Sequence, residues 1–170
     1  MSNRARKIFI LVTVIIPFLI YCVVYYTPML KNAPFKSAEF VSLNYKWGVG
    51  KTLDNSYDSA TGEYQYLNAK DSLVKTNVKL RKDDIIYLHR KATEIGFWNF
   101  PDLIANNAAD TISPKILRYE LEFKYKRVTK KVVYLSDYSE TPKLRDLAVQ
   151  MKTLVEQTIN AADDRYGKKK

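Results

Sequence analysis

Hydrophobic positions divide this chain into two regimes. From Ile8 to Tyr26 they run without a single charge, whereas beyond Ala38 they are spaced at intervals near 2 or near 3.6. A helix over residues 8–26, rising about 1.5 Å per residue, is about 28 Å long and matches the hydrocarbon thickness of a bilayer. The run therefore predicts a membrane-spanning helix. The spaced pattern that follows predicts a folded domain with both strands and amphipathic helices.

Within that domain, Phe40, Val41, Leu43, Tyr45 and Trp47 predict a strand closed by Gly48 and Gly50. Residues 54–62 are dense in turn formers and read as a long hairpin connection. Tyr64 with Tyr66, and Leu73, Val78 and Leu80 within 72–80, predict two further strands. Asp83 and Asp84 then place carboxylates where a helix begins, and Ile85, Leu88, Ala92 and Ile95 recur at helical spacing up to Gly96. Phe97, Trp98 and Phe100 crowd before Pro101; they cap the core between helix and sheet, or alternatively expose Trp98 to a partner. Residues 101–114 read as a long connection.

The clearest alternation follows, with Tyr119, Leu121, Phe123 and Tyr125 on one face and Arg118, Glu120, Glu122 and Lys124 on the other. Val133 and Leu135 mark the return strand. Thr141 as cap and Pro142 at the first helical position open a last helix with Leu144, Leu147, Met151, Leu154, Val155 and Ile159 along one stripe. The expected fold class is α+β: an N-terminal transmembrane helix, then an antiparallel sheet of about five strands in the order β-β-β-α-β-β-α, with two helices on one face. The expected organisation is a basic cytoplasmic tail (1–7), a signal-anchor span (8–26), a stalk with Pro28 and Pro34 (27–37), an extracytoplasmic domain (38–162) and a basic C-terminal tail (163–170).

Charge adds direction. Arg4, Arg6 and Lys7 precede the apolar run, and Tyr21, Tyr25 and Tyr26 gather at its other end, where aromatic rings favour the interface. The positive-inside rule then places the N-terminus in the cytoplasm and the domain outside it. A cleaved signal peptide needs small residues at −3 and −1, but cuts after Ala33 or Ala38 put Lys31 or Lys36 at −3. Lipidation at Cys22 meets bulky Tyr21 where a small residue is wanted. Cys22 is the one cysteine, so the domain contains no disulfide; this fits a bacterial inner-membrane protein facing the periplasm better than an animal secreted module. Of ten net positive charges, setting aside those three leaves seven, an excess that solubilises a small domain or meets an acidic partner.

Candidate chemistry is sparse. Gly48-Val49-Gly50-Lys51-Thr52 ends like a phosphate-binding loop, but Tyr45 stands where its first glycine belongs. His89 is the sole histidine, reads as packed and hydrogen-bonded, and has no cysteine or serine elbow to serve. Asp54, Asp58 and Glu63 depart from calcium-loop spacing, and the His and Cys count excludes a zinc site. Glu120 and Glu122 read as cross-strand partners for lysines. No catalytic, cofactor or metal residue is assigned.

The candidate partner-binding residues are Lys124, Lys126, Arg127, Lys130 and Lys131, gathered around one hairpin tip, together with Trp98. Such a tip contacts an acidic protein surface or anionic headgroups, or guards against edge pairing; nucleic acid is disfavoured by the expected topology. The expectation is a non-enzymatic binding or accessory module of the cell envelope, held in the bilayer by residues 8–26 and acting on a protein partner. An inhibitor or immunity-like protein would share this pattern. The competing class is a hydrolase or transferase built from Asp102, Asp110, Glu120 and Glu122.

Overall fold

In a computed structural model, residues 3–32 and 35–167 are described. The chain divides into two units at the Pro34–Phe35 junction. The first is α1 (Asn3–Asn32), which runs unbroken through Pro17 and carries Arg4, Arg6 and Lys7 in its opening turns. Its window Phe9–Thr27 has no buried residue and is long and apolar enough to cross a membrane. Tyr21 stacks on Tyr25, which meets Tyr26 edge-on. Thr27–Asn32, expected as the start of a stalk, continues the helix.

The second unit is α+β. Its strands are β1 (Phe40–Gly48), β2 (Asn55–Asp58), β3 (Glu63–Leu67), β4 (Leu73–Asn77), β5 (Leu103–Ile104), β6 (Arg118–Tyr125) and β7 (Thr129–Leu135). They form one sheet in the order β4-β3-β2-β1-β6-β7-β5. Every pairing is antiparallel except β5 with β7, so the sheet is mixed and has seven strands, not an antiparallel five. Both extra strands lie where loops are expected. β2 offers one apolar residue, Tyr57, among polar ones, and β5 has only two residues; neither is long enough to display a period.

The helices are α2 (Lys82–Ile95) and α3 (Pro142–Gly167). The Asp84 carboxylate accepts from the Arg81 backbone N–H at 2.8 Å, closing the first turn of α2. Gly96 ends it at φ 79°, donating to the carbonyls of Ala92 and Thr93. α3 extends past residue 162: residues 163–167 are helix rather than tail, because Arg165 pairs with Asp84 at 2.5 Å and docks the last turn on α2. Lys168–Lys170 lie outside the described residues.

Both helices lie on the same face of the sheet. Leu88 and Ala92 of α2, and Ala148, Met151, Val155, Ile159 and Ala162 of α3, share one core with Leu43, Tyr45, Tyr57, Leu121, Phe123, Tyr125, Val132 and Tyr134. Cross-strand pairs Leu43 with Phe123, Tyr45 with Leu121 and Tyr45 with Tyr57 put these strand residues on one side. The opposite side is left uncovered over most of its area.

Candidate functional site: the open sheet face and its basic end

From Leu43 to Trp47 in β1 and from Tyr119 to Tyr125 in β6, odd-numbered residues face the helices and their even-numbered neighbours the other side; Ser42, beside an irregularity in β1, is on that side but buried. Opposed pairs carry this across the sheet as a polar row, Lys75, Gln65, Ser56, Lys46 and Glu120, which ends on apolar Val133. A second row runs Asp58, Asn44, Glu122 and Lys131, and a third Ser42, Lys124 and Thr129. Asn44, Lys46, Glu120, Glu122 and Lys131 line a concavity of about 220 Å³. One Glu120 oxygen lies 3.2 Å from Arg118 Nε and the other 2.8 Å from the Lys131 ammonium, so each oxygen faces a cation. Asp102 pairs with Lys130 at the β5 edge, and Asp110 belongs to a short 3-10 turn; neither reaches this concavity.

No protein-family model matches this chain, and no curated protein matches it in sequence.

Arg118 shares the polar side with Glu120 but is buried. Its guanidinium donates to the carbonyls of Thr111 and Lys51, and the Gly50 N–H donates to the Ser113 carbonyl at 2.9 Å. These bonds fold the two loops over the end of the sheet where β1 finishes. Asn106 similarly ties its loop to the backbone of Asp137 and Ser139. The 101–114 connection is therefore pinned to the sheet at both ends.

The five cations grouped at the β6–β7 hairpin by sequence do not form one patch. Lys124 and Lys131 face the open side. Lys126 and Arg127 stand at the turn, where Arg127 makes a bidentate pair with Glu39 at 2.8 and 2.9 Å. That hydrogen bond, with the surrounding positive charge, holds the Glu39 carboxyl below its ordinary range. Lys130 lies opposite Phe123, on the helix-covered side, and its ammonium donates to the Phe100 carbonyl and Asp102, both at 2.6 Å. It is removed from the candidate surface because a strand alternates sides at every residue, and nearness in sequence does not.

Trp98 is removed as well. It is 6% exposed, stacks on Phe35 with centroids 4.4 Å apart, and meets Phe97, Phe123 and Tyr125 edge-on. Its indole N–H donates to the Thr93 hydroxyl at 3.0 Å. It caps the core. His89 lies alongside, its Nδ1 2.8 Å from the Tyr125 hydroxyl, and burial lowers its pKa.

A polar chain that sequence reading missed lies between sheet and α3. The Tyr45 hydroxyl donates to Glu156 at 2.6 Å, Lys152 pairs with Glu156 at 3.1 Å, and the Lys152 ammonium sits 4.8 Å over the Tyr119 ring. Burial and the Glu156 charge raise the Tyr45 hydroxyl far above its usual range. Burial pulls the Lys152 ammonium down, yet bonding to Glu156 lifts it overall. All partners are satisfied within the fold, which marks a core clasp. Its sequence signal was Lys152 and Glu156 at i and i+4 on α3. Among the described residues no group of three or more His, Cys, Asp or Glu could hold a metal ion.

Proposed function

We propose that this protein is a membrane-anchored, non-enzymatic binding or accessory module whose open sheet face docks on a protein partner. The observation that carries this reading is the shape of that face: polar rows running across strands, with its central carboxylate held in ion pairs on both oxygens. A reacting carboxylate needs a free oxygen and a shaped pocket, whereas a docking surface needs breadth and matched polar groups. α1 supplies the tether, and the cations Arg4, Arg6 and Lys7 before the span favour a cytoplasmic N-terminus with the domain on the other side.

Affinity purification of the full chain in mild detergent tests the docking role. A stoichiometric protein partner is expected, and it is lost when Asn44→Arg and Ser56→Arg put bulk and charge on the face. Recovery of no partner, or of one indifferent to these substitutions, removes the reading. A reporter fused after Lys170 tests orientation: activity confined to the cytoplasm overturns it.

The adjacency of Glu120 and Glu122 in the concavity favours a second reading, a carboxylate-dependent hydrolase or transferase. Glu122→Gln separates the two: it abolishes turnover in an enzyme, whereas in a docking module this near-isosteric change at one position of a broad face leaves partner capture measurable.

A further inference from the structure

The end of the sheet where β1 begins collects cations from three separate stretches of chain. Phe40 stands opposite Tyr125, the Lys126 N–H donates to the Glu39 carbonyl at 2.9 Å, and Arg127 clasps Glu39, so the β6–β7 turn lies beside the entry of the chain into the domain. The start of α2 is there too, because Ser37, Ala38, Phe40, Lys82, Ile85 and Ile86 line one cavity of about 580 Å³. Lys36, Lys79, Arg81, Lys82, Lys124 and Lys126 are all exposed, and none makes an ion pair among the described residues. Of the acids at this end, Glu39 and Asp84 are already matched by Arg127 and Arg165; Asp83 lies beside the cations, Asp58 and Glu63 stand farther along the same end on β2 and β3 toward the β4 edge, and Asp163 and Asp164 are in the last turns of α3. Apolar Val41 and Ile86 are exposed among them, at 46% and 44%.

Covalent reach limits where this end can go. Phe35 follows Thr27, the last residue of the apolar window, by eight positions, and eight residues extend at most about 28 Å. A cationic surface with exposed apolar side chains, tethered that closely to a bilayer, is complementary to anionic headgroups above acyl chains. We infer that this basic end is a docking site for anionic lipid of the same membrane that holds α1, and that it fixes the domain against the bilayer while the open sheet face stays available. The inference rests on reading α1 as a membrane span. An acidic protein would have to compete with a lipid surface already within reach, and the tether favours the lipid.

The test uses the full chain in nanodiscs of phosphatidylcholine alone and in nanodiscs with about one-third phosphatidylglycerol, with lysine acetylation by a water-soluble reagent read by mass spectrometry. Lys70 and Lys115, exposed near the opposite end of the sheet, are the internal references. Each lysine near an anionic surface shifts the docked equilibrium about fivefold. The anionic discs are therefore expected to slow acetylation of Lys36, Lys82, Lys124 and Lys126 by about fivefold or more relative to the references, with recovery at high salt.

Lys82→Glu with Lys126→Glu removes the protection remaining at Lys36 and Lys124. Neither lysine has an ion pair to lose, and glutamate in the first turn suits the α2 dipole, so the fold is retained. A chain that incorporates into both discs but shows equal rates in both overturns the docking site and leaves the anchor standing. A chain that incorporates into neither overturns the anchor, and the docking site with it. Protection that is insensitive to salt and lipid charge, or that arises only on adding an acidic protein, also overturns it.

Discussion

Trp98, Lys130 and His89 show what a single side chain does here once its surroundings are known. Trp98 fills the junction of α2, β6 and Phe35 with its N–H satisfied, so Trp98→Ala leaves a cavity and removes the donor to the Thr93 hydroxyl, which keeps its own bond to the His89 carbonyl. A loss of about 3–5 kcal/mol is expected in denaturant unfolding. Tyr45→Phe removes one bond to a charged acceptor and is expected to cost roughly 1.5–3 kcal/mol by the same measurement.

His89 gives the domain a pH response of definite sign. Burial lowers its folded pKa below the ordinary 6.5, so as pH falls the unfolded chain takes up the proton first. Its contribution to stability is complete above 6.5, declines as pH drops through that value toward the lower folded pKa, and is gone below the latter. His89→Gln is expected to flatten this part of the stability profile, measured as urea midpoint against pH. Tyr125, whose hydroxyl is itself raised by burial, stays protonated across this window and keeps its hydrogen bond with His89 Nδ1.

At the scale of elements, period decides which face of the sheet a residue joins. β7 sends Lys131 to the open side and Lys130 toward the covered side, which divides a basic cluster that looks single in the sequence. The helices and long strands were legible because four or more residues repeat a spacing: β6 alternates over eight residues, and α2 is bounded by Asp83, Asp84 and Gly96. β2 and β5 were not, since a four-residue and a two-residue strand are defined by their partners' hydrogen bonds. The open face itself was legible only in part: Glu120, Glu122 and Lys124 were read as facing one way, but Lys46, Ser56, Gln65 and Lys75 join them only through register.

Turns carry a further test. Gly96 and Gly62 both have φ near +80°, yet an added Cβ at Gly96 meets open space while one at Gly62 falls 2.9 Å from the Asn77 side chain. Gly96→Ala is expected to cost about 1–2 kcal/mol from backbone strain alone. Gly62→Ala adds displacement of the Asn77 amide, which bonds the Thr61 carbonyl, and the larger loss in thermal unfolding should be found there.

For the whole molecule, the division at Pro34–Phe35 separates a helix with no buried apolar window from a domain with its own continuous core. Residues 35–170 expressed alone are expected to fold and remain in the supernatant on high-speed centrifugation, and the full chain is expected to sediment with membranes and to resist alkaline extraction. The apolar span, the α+β class and the limits of α2 were determined by the sequence alone, because they follow from spacing and transfer free energy along contiguous residues. Which strands pair, that Trp98 and Lys130 turn inward, and that Lys36, Lys82 and Lys126 meet at one end were decided by the tertiary structure. These depend on contacts between residues distant in the chain, and no local pattern encodes which distant segment a strand will find.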